Sequence, residues 1–322
     1  MAMGRRYASG QRQAPEAHPN KKRGDKNMNV PKAVEFIEKN ARPVELAECR
    51  CLFKAGPKRA LIEALRPFQN PDGGFGHALE PDNWNPNSTP ITTNDALIHL
   101  FETGALSEAG EMTQGMVRYL CSGEARHKET FRWFSSIESN RDYPHAVWWE
   151  KGAEDAPPNW NPTVSLAAFL ICMGAEGPWK ELVQEAFAGL QEAGEPSGEG
   201  LKCFMLAWRL LRAYGKENLI SMEAAQEAIR RSVYENICKE TEKYGVEYVP
   251  TPSWFLQGES PFLPDGIQPL IQAERRGLEK LQQEDGGFDI SWQWYTPYET
   301  EFQQARAWWR PRVTMEKLRF YG

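Results

Sequence analysis

The chain lacks several features that would assign it to a broad class. It has no run of about 18 apolar residues, so no segment has the composition of a membrane span. Its first residues lack the apolar stretch of a secretory signal. The six cysteines form no CxxC pair, and no histidine follows His145 to complete a Cys/His zinc set. We therefore expect a cytoplasmic protein with reduced thiols, and we predict no metal and no cofactor.

Acidic residues outnumber basic ones outside the first residues. Residues 1–27 carry seven Lys/Arg against two acids, a net +5, which leaves −11 for the rest of a chain whose net charge is −6. An acidic body argues against nucleic acid as a partner. We expect residues 1–28 to be a disordered basic tail or a non-native extension, and residues 29–322 to form a single domain.

Strand patterns are also rare, whereas helical spacing is common. The best strand candidate is the short stretch YGVEYVP at 244–250. Apolar residues recur at helical spacing at 30–41, 57–68, 89–105, 109–121, 163–173, 178–192, 201–214, 221–238, 268–283 and 313–320. These patterns predict an all-α chain built from pairs of helices.

One unusual turn occurs twice, as QNPDGGF at 69–75 and as QQEDGGF at 282–288. The paired glycines are expected to supply positive φ angles where the chain reverses. Gln69 and Gln282 are expected to hydrogen-bond the free carbonyls at the end of the preceding helix. A repeated turn between amphipathic helices indicates hairpins that bury their faces by stacking on one another.

These Q-x-x-D-G-x-F turns resemble the repeats of squalene–hopene-type terpenoid cyclases and of protein prenyltransferase β subunits. The segment GGFGHALEPD also resembles small bacterial proteins of that repeat superfamily. The resemblance is strongest at 61–104 and 277–293. It implies an α/α toroid of about five to six helix hairpins around a central cavity, with long loops over one face. The DxDD, DDxxD and Cys-Cys-His motifs that carry the chemistry of such toroids do not occur in this chain.

Tryptophan is concentrated in four long loops, at 71–90, 135–162, 249–264 and 285–310. Nine of the twelve tryptophans lie in these segments. Loops are normally polar and exposed, so this composition indicates loops that fold against the body and line a cavity.

The first turn is followed directly by His77, Glu80 and Asp82, which are candidate catalytic residues. Asp82 or Glu80 would act as a general acid, with His77 as its partner. The alternative is that the two acids order the loop or cap the next helix. Trp84, among three asparagines, is a candidate substrate-binding residue and would suit a polar ligand.

The loop RDYPHAVWWE at 141–150 holds a second group of candidates. His145 would be catalytic, and Tyr143, Trp148 and Trp149 would bind substrate, because paired indole rings can stack on a sugar or stabilise a cation. The alternative is an aromatic plug in which the backbone satisfies His145.

The third group follows the second turn, in GGFDISWQWYTPYETEF at 286–302. Asp289 is a further candidate catalytic residue, and Trp292 and Trp294 are further candidates for substrate binding. The alternative is loop packing that leads into a helix start.

Two kinds of enzyme, and one kind of binding protein, fit these groups. The first is a metal-independent enzyme that protonates a hydrophobic or isoprenoid-like substrate with a buried carboxylic acid. The second is a carbohydrate-active or carbohydrate-binding protein that holds a small-molecule or oligosaccharide ligand on tryptophan rings. The third is a non-catalytic binding scaffold. A closed apolar chamber with one acid favours the first, and a groove with tryptophan, asparagine and two carboxyls favours the second.

Overall fold

The computed structural model describes residues 28–150, 158–257 and 260–322. Within these ranges the chain is all-α, as predicted, and has isolated bridges but no β-strand. The helices are α1 Val30–Asn40, α2 Pro43–Lys54, α3 Lys58–Leu65, α4 Pro90–Glu102, α5 Gly110–Ser122, α6 Thr163–Cys172, α7 Trp179–Ala193, α8 Gly198–Ala213, α9 Met222–Asn236, α10 Pro252–Phe255, α11 Gln268–Leu281 and α12 Glu299–Tyr321. The tail expected at 1–28 lies outside the described residues except for Met28, which is buried in the core.

Side-chain caps fix where several helices begin. The side-chain oxygens of Asn29, Thr89, Ser197 and Ser221 each accept a backbone N–H from the first turn of α1, α4, α8 and α9. Each cap satisfies one of the amide groups that a helix start leaves unpaired, and is worth about 1 kcal/mol.

The helices differ in how much of their surface is buried. Helix α6 is buried along its whole length from Thr163 to Ile171, and α4 is buried almost as completely. Helices α1, α5, α7 and α9 each bury a single face. A helix that is buried all round needs neighbours on several sides. Accordingly, α6 packs against both α7 and α8, while at the chain ends α12 packs against α1.

Three predictions about individual elements are wrong. Helix α2 was not predicted, because Glu45 and Glu48 lie on its buried face and interrupt the apolar pattern. Helix α12 begins at Glu299 instead of 313, since its first half carries half-buried tryptophan and arginine side chains, which interrupt the apolar pattern. The stretch at 244–250 is not a strand but a series of turns, anchored by the Tyr244 hydroxyl, which donates to the Cys238 carbonyl at 2.6 Å.

The glutamines of the two repeated turns form matching hydrogen bonds. These are not the bonds to the end of the preceding helix that the sequence predicted. Nε2 of Gln69 donates to the Gly73 carbonyl at 2.9 Å, and Nε2 of Gln282 donates to the Gly286 carbonyl at 2.8 Å. Each amide also reaches the start of a different helix: Gln69 donates to the Met112 carbonyl in α5 and Gln282 to the Asn29 carbonyl before α1. The glutamines therefore join neighbouring helices instead of capping the preceding one.

The paired glycines have different roles, which corrects the prediction of positive φ for both. Only the first of each pair is left-handed, with φ of +97° at Gly73 and +94° at Gly286. The second of each pair is needed for close approach: a Cβ on Gly74 would collide with Ser88, and one on Gly287 would lie 2.6 Å from the ring of Phe36.

The phenylalanine of each turn is tied to the helix that follows it. The amide of Phe75 donates to Oγ1 of Thr93 at 3.1 Å, and the amide of Phe288 donates to Oγ1 of Thr314 at 2.9 Å. Both threonines are buried, in α4 and α12. The two turns thus share the contacts of the glutamine and the phenylalanine, whereas Asp72 accepts from Ser88 in the first turn and Asp285 pairs with Arg310 in the second.

Candidate functional site

Three of the long loops meet at one place, which we call the loop junction. The amide of Trp84 donates to the Pro144 carbonyl at 3.0 Å, and the amide of Ala146 donates to the Asp82 carbonyl at 2.9 Å. The amide of Val147 donates to the Trp294 carbonyl at 3.0 Å. Segments following both repeated turns are therefore fixed to the 141–150 loop by backbone hydrogen bonds.

The side chain of Asp82 holds the loop junction together. Oδ1 accepts the indole N–H of Trp294 at 2.6 Å, and Oδ2 accepts that of Trp292 at 3.0 Å. Asp82 is 2 % exposed. Burial raises the pKa of Asp82 to about 6, and the indole hydrogen bonds, which favour the carboxylate, oppose that rise.

Glu80 lies beside Asp82 and is 8 % exposed. Its Oε2 accepts the backbone N–H of Asp82 at 2.7 Å, and its Oε1 accepts no hydrogen bond from the described part of the chain. Burial, and after it the negative charge of Asp82, raise the pKa of Glu80 well above its ordinary value. Burial thus favours the protonated form of both carboxyl groups, and the charge of Asp82 favours it further at Glu80.

A strained segment presents Glu80. His77 and Ala78 both have left-handed backbones, with φ of +56° and +59°, a conformation that side chains disfavour. Arg42 stabilises it by donating to the carbonyls of Ala78 at 2.6 Å and Leu79 at 2.9 Å. Arg42 is itself fixed by Glu45 in α2, through Nε at 3.0 Å and Nη2 at 2.5 Å.

A buried ionic cluster adjoins the carboxyl pair. Nη2 of Arg312 in α12 donates to Oδ1 of Asp95 at 2.5 Å and lies 3.0 Å from Nε2 of His99, both in α4. Since a guanidinium can only donate, His99 Nε2 accepts, which leaves Nδ1–H to donate to Oε2 of Glu48 at 2.8 Å. Burial alone would raise the pKa of Asp95, but the Arg312 charge outweighs it and holds that pKa below its ordinary value.

Several buried polar atoms around the pair have no hydrogen-bond partner among the described residues. They are Asp95 Oδ2, Arg312 Nη1 and Trp309 Nε1. The charges of Asp95 and Arg312 both act on the pKa of Glu80, and the Trp309 indole N–H lowers that of Asp82. Unpaired buried groups are costly, and they are typical of sites that bind a ligand or water.

Trp84 and His145 also lie at the loop junction. Trp84 donates its indole N–H to the Pro81 carbonyl at 2.9 Å, and its ring packs against Trp294 and Trp308 at 6.2 and 5.2 Å. His145 is buried, with Nδ1 2.6 Å from the Tyr143 carbonyl. Its Nε2 lies 4.0 Å from Oε1 of Glu150 and has no hydrogen-bond partner among the described residues.

The other candidates are placed differently. His77 is exposed and its Nε2 lies 2.8 Å from Oδ1 of Asn70, so it partners neither acid; its left-handed backbone turns it outward. Asp289 forms an ion pair with Arg306 of α12. Trp148 is 40 % exposed, whereas Trp149 is half-buried and its carbonyl accepts from Asn140 at 2.9 Å. Tyr143 is half-buried.

Two surface depressions lie elsewhere on the molecule. One, of about 500 Å³, is lined by Asn70, Asp72 and Ser88 beside the first turn, and another, of about 530 Å³, lies between α2 and α3. Neither is lined by Glu80 or Asp82. The described residues contain no group of three or more His, Cys, Asp or Glu side chains arranged to hold a metal ion.

Comparisons with protein-family models, with curated proteins and with solved structures give no match to this chain. No helix in the described ranges has the length and apolar character needed to cross a membrane.

Sequence reasoning missed Asp95, Arg312 and Trp309. A signal for the first existed, since Asp95 and His99 are four residues apart on a helix and so share one face. No such signal existed for Trp309 or Arg312. The last predicted helix began at residue 313, so the helical register of these two residues was hidden.

Proposed function

We propose that the twelve helices of the described residues close into an α/α toroid. Three observations support this. Helix α12 packs against α1, so the two ends of the helical series are in contact. Gln282 exchanges hydrogen bonds with Asn29 across that contact, accepting its N–H at 2.8 Å and donating to its carbonyl at 3.0 Å. The two repeated turns make equivalent contacts with the helices beside them, as one repeating unit would.

We further propose that the protein is an acid–base enzyme that acts on a carbohydrate, with Glu80 as proton donor. The observation that carries this proposal is the buried Glu80–Asp82 pair, in which burial raises both pKa values and the charge of Asp82 raises that of Glu80 further. Two carboxyl groups with separated pKa values are what glycoside cleavage requires, because one must be protonated and another ionised.

The chemical steps follow from the protonation states. Glu80 donates its proton to the glycosidic oxygen as the bond between that oxygen and the anomeric carbon breaks. A water oxygen bonds to the anomeric carbon, and its proton passes to Asp95, whose Oδ2 is unpaired and whose pKa is lowered. Solvent then returns a proton to Glu80 and removes one from Asp95. Asp82 stays ionised and keeps the Glu80 proton in place near neutral pH.

The polar surroundings of Glu80 favour a sugar over a hydrocarbon. A bare isoprenoid would leave the free oxygen of Asp95 and the free N–H groups of Arg312 and Trp309 unpaired, at about 1–3 kcal/mol each. Sugar hydroxyl groups can donate to the oxygen of Asp95 and accept from the N–H groups of Arg312 and Trp309. The tryptophan rings at the loop junction supply flat apolar faces for the C–H side of a sugar ring.

The test is sugar release by the full chain from nitrophenyl glycosides and from short oligomers of glucose, xylose, mannose and N-acetylglucosamine. We expect cleavage of at least one series, and its loss in Glu80→Gln. Glu284→Gln removes an exposed acid of the second turn and serves as the matched control. Cleavage that persists in Glu80→Gln would contradict the assignment of the donor, and no cleavage of any series would contradict the carbohydrate proposal.

A second candidate function is protonation of an isoprenoid. The density of indole rings favours it, because Trp84, Trp294 and Trp308 pack together beside Asp82 and could stabilise a carbocation. Prenyl diphosphates tested in parallel distinguish the two candidates: a Glu80-dependent product from them, with no sugar released, would favour this one.

A further inference from the structure

An aromatic wall runs from the protein surface to Asp82. The ring of Tyr248 lies 5.5 Å from that of Trp292, whose indole N–H donates to Asp82. Tyr248 also packs against Trp254 at 5.1 Å. Tyr248 is 52 % exposed, so one part of its ring faces solvent while the other contacts the residues that line the acid site.

Two charged groups from the first turn of α8 adjoin this wall. The Tyr248 hydroxyl donates to Oε1 of Glu199 at 3.2 Å. Lys202 pairs with the same carboxylate oxygen at 3.0 Å, and its ammonium lies 4.3 Å from the centre of the Trp254 ring. Both side chains remain partly exposed. The surface therefore combines an open aromatic face with a hydrogen-bond acceptor and a donor beside it.

We propose that Tyr248, Glu199 and Lys202 form a sugar-binding subsite next to the acid site, which takes a neutral pyranose ring. The C–H face of the ring stacks on Tyr248, while its hydroxyl groups donate to Glu199 and accept from Lys202. The inference rests on the proposed carbohydrate activity and assigns it a specificity-determining surface. Because Tyr248 touches Trp292, a sugar bound there directs the next unit of a chain toward Glu80.

Two contacts that are already formed in the free protein make the subsite preorganised. The bond from the Tyr248 hydroxyl to Glu199 and the Glu199–Lys202 pair hold the three groups in one arrangement before a ligand binds. Less side-chain freedom is then lost on binding.

The experiment measures binding of short oligomers of glucose, xylose, mannose and N-acetylglucosamine to the full chain by saturation-transfer NMR and calorimetry. Tyr248→Ala is expected to weaken binding about tenfold, because the stacking face is removed. Tyr248→Phe keeps that face and is expected to stay within about threefold of the parent. Tyr234→Ala is the matched control: Tyr234 is 46 % exposed, close to the exposure of Tyr248, and lies in α9.

The outcomes separate this inference from the proposed function. Sugar binding that depends on Tyr248, without any cleavage, supports the subsite and contradicts the enzyme. Cleavage with equal affinity in the parent and Tyr248→Ala contradicts the subsite and leaves the enzyme standing. Equal loss in Tyr248→Ala and Tyr234→Ala, or no binding of any oligomer by the parent, overturns the subsite.

Discussion

The two repeated turns at 69–75 and 282–288 are alike up to the phenylalanine and different after it. Both use glutamine to join a neighbouring helix and both bond the phenylalanine amide to a buried threonine. Beyond that point the first turn leads through two left-handed residues to Glu80 and Asp82, while the second leads to Trp292. The second segment supplies indole donors for a carboxylate of the first.

This difference indicates that the turn itself is a structural unit, and that the residues following it can carry different chemical groups. The repeated contacts set the position of the chain at the phenylalanine. The residues that follow are free to differ, and only the first copy carries buried acids. The predictions below test whether the shared part and the divergent part are separable.

The largest expected effect is on the divergent part. We expect Glu80→Gln to reduce turnover of a cleaved glycoside by about 10²- to 10⁴-fold, the usual contribution of a general acid. The amide can still accept the Asp82 N–H, so the fold is expected to persist, as circular dichroism would show. A loss of less than tenfold, with Glu284→Gln as reference, would mean that the first turn carries no special chemistry.

The next largest effect is on stability and concerns the part that the two repeated turns share. We expect Gly73→Ala and Gly286→Ala to lower the free energy of unfolding by similar amounts, of several kcal/mol, since each position combines positive φ with a close backbone neighbour. Denaturant titration measures both. Gly189→Ala in α7, where a Cβ meets no atom within 4 Å, should instead stabilise by up to about 1 kcal/mol. Markedly unequal losses at the two turns would break their equivalence.

A pH effect of intermediate size is expected from the acid pair. The pKa of Asp82 is raised from 3.8 to about 6, and a raised folded-state pKa gives stability that is present below pH 3.8 and lost as the pH rises through about 6. Glu80 acts in the same direction. Glu80→Gln should therefore match the parent below pH 4.5, the ordinary pKa of Glu80, and become the more stable of the two as the pH rises above it, as denaturant titrations across that range would show. A stability difference that does not vary with pH would contradict the raised values.

The smallest effect tests the threonines that receive the phenylalanine amides. Thr93→Val and Thr314→Val each leave a buried N–H without its acceptor, at an expected cost of about 1–3 kcal/mol in the free energy of unfolding. Thermal unfolding of the two variants measures the loss of stability at each turn. A loss at one turn only would show that the second amide has another partner.

Much of the helical framework could be predicted because apolar spacing reports a buried face directly. Helix α2 could not, since its buried face carries Glu45 and Glu48, and the partner of Glu48, His99, lies 51 residues away in the sequence. The register of α12 was hidden in the same way by Arg312, which pairs with Asp95 more than two hundred residues away.

The candidate site was predictable in part. Glu80 and Asp82 were distinguished by being absent from the second turn, and their burial agrees with a site in the interior. His77 was placed with them by proximity in sequence, but the left-handed backbone at that residue turns it to the surface. No pattern along the chain reveals that two tryptophans will donate to Asp82, because that contact depends on how distant loops meet.

The central claim is that burial and the charge of Asp82 raise the pKa of Glu80 well above its ordinary value. It is tested most directly by a pH titration of the side-chain carboxyl carbons in ¹³C-labelled protein, with Glu80→Gln and Asp82→Asn used for assignment. We predict that Glu80 stays protonated at pH values well above 4.5, while Asp82 titrates near 6. Titration of Glu80 near 4.5, its ordinary value, would contradict the account.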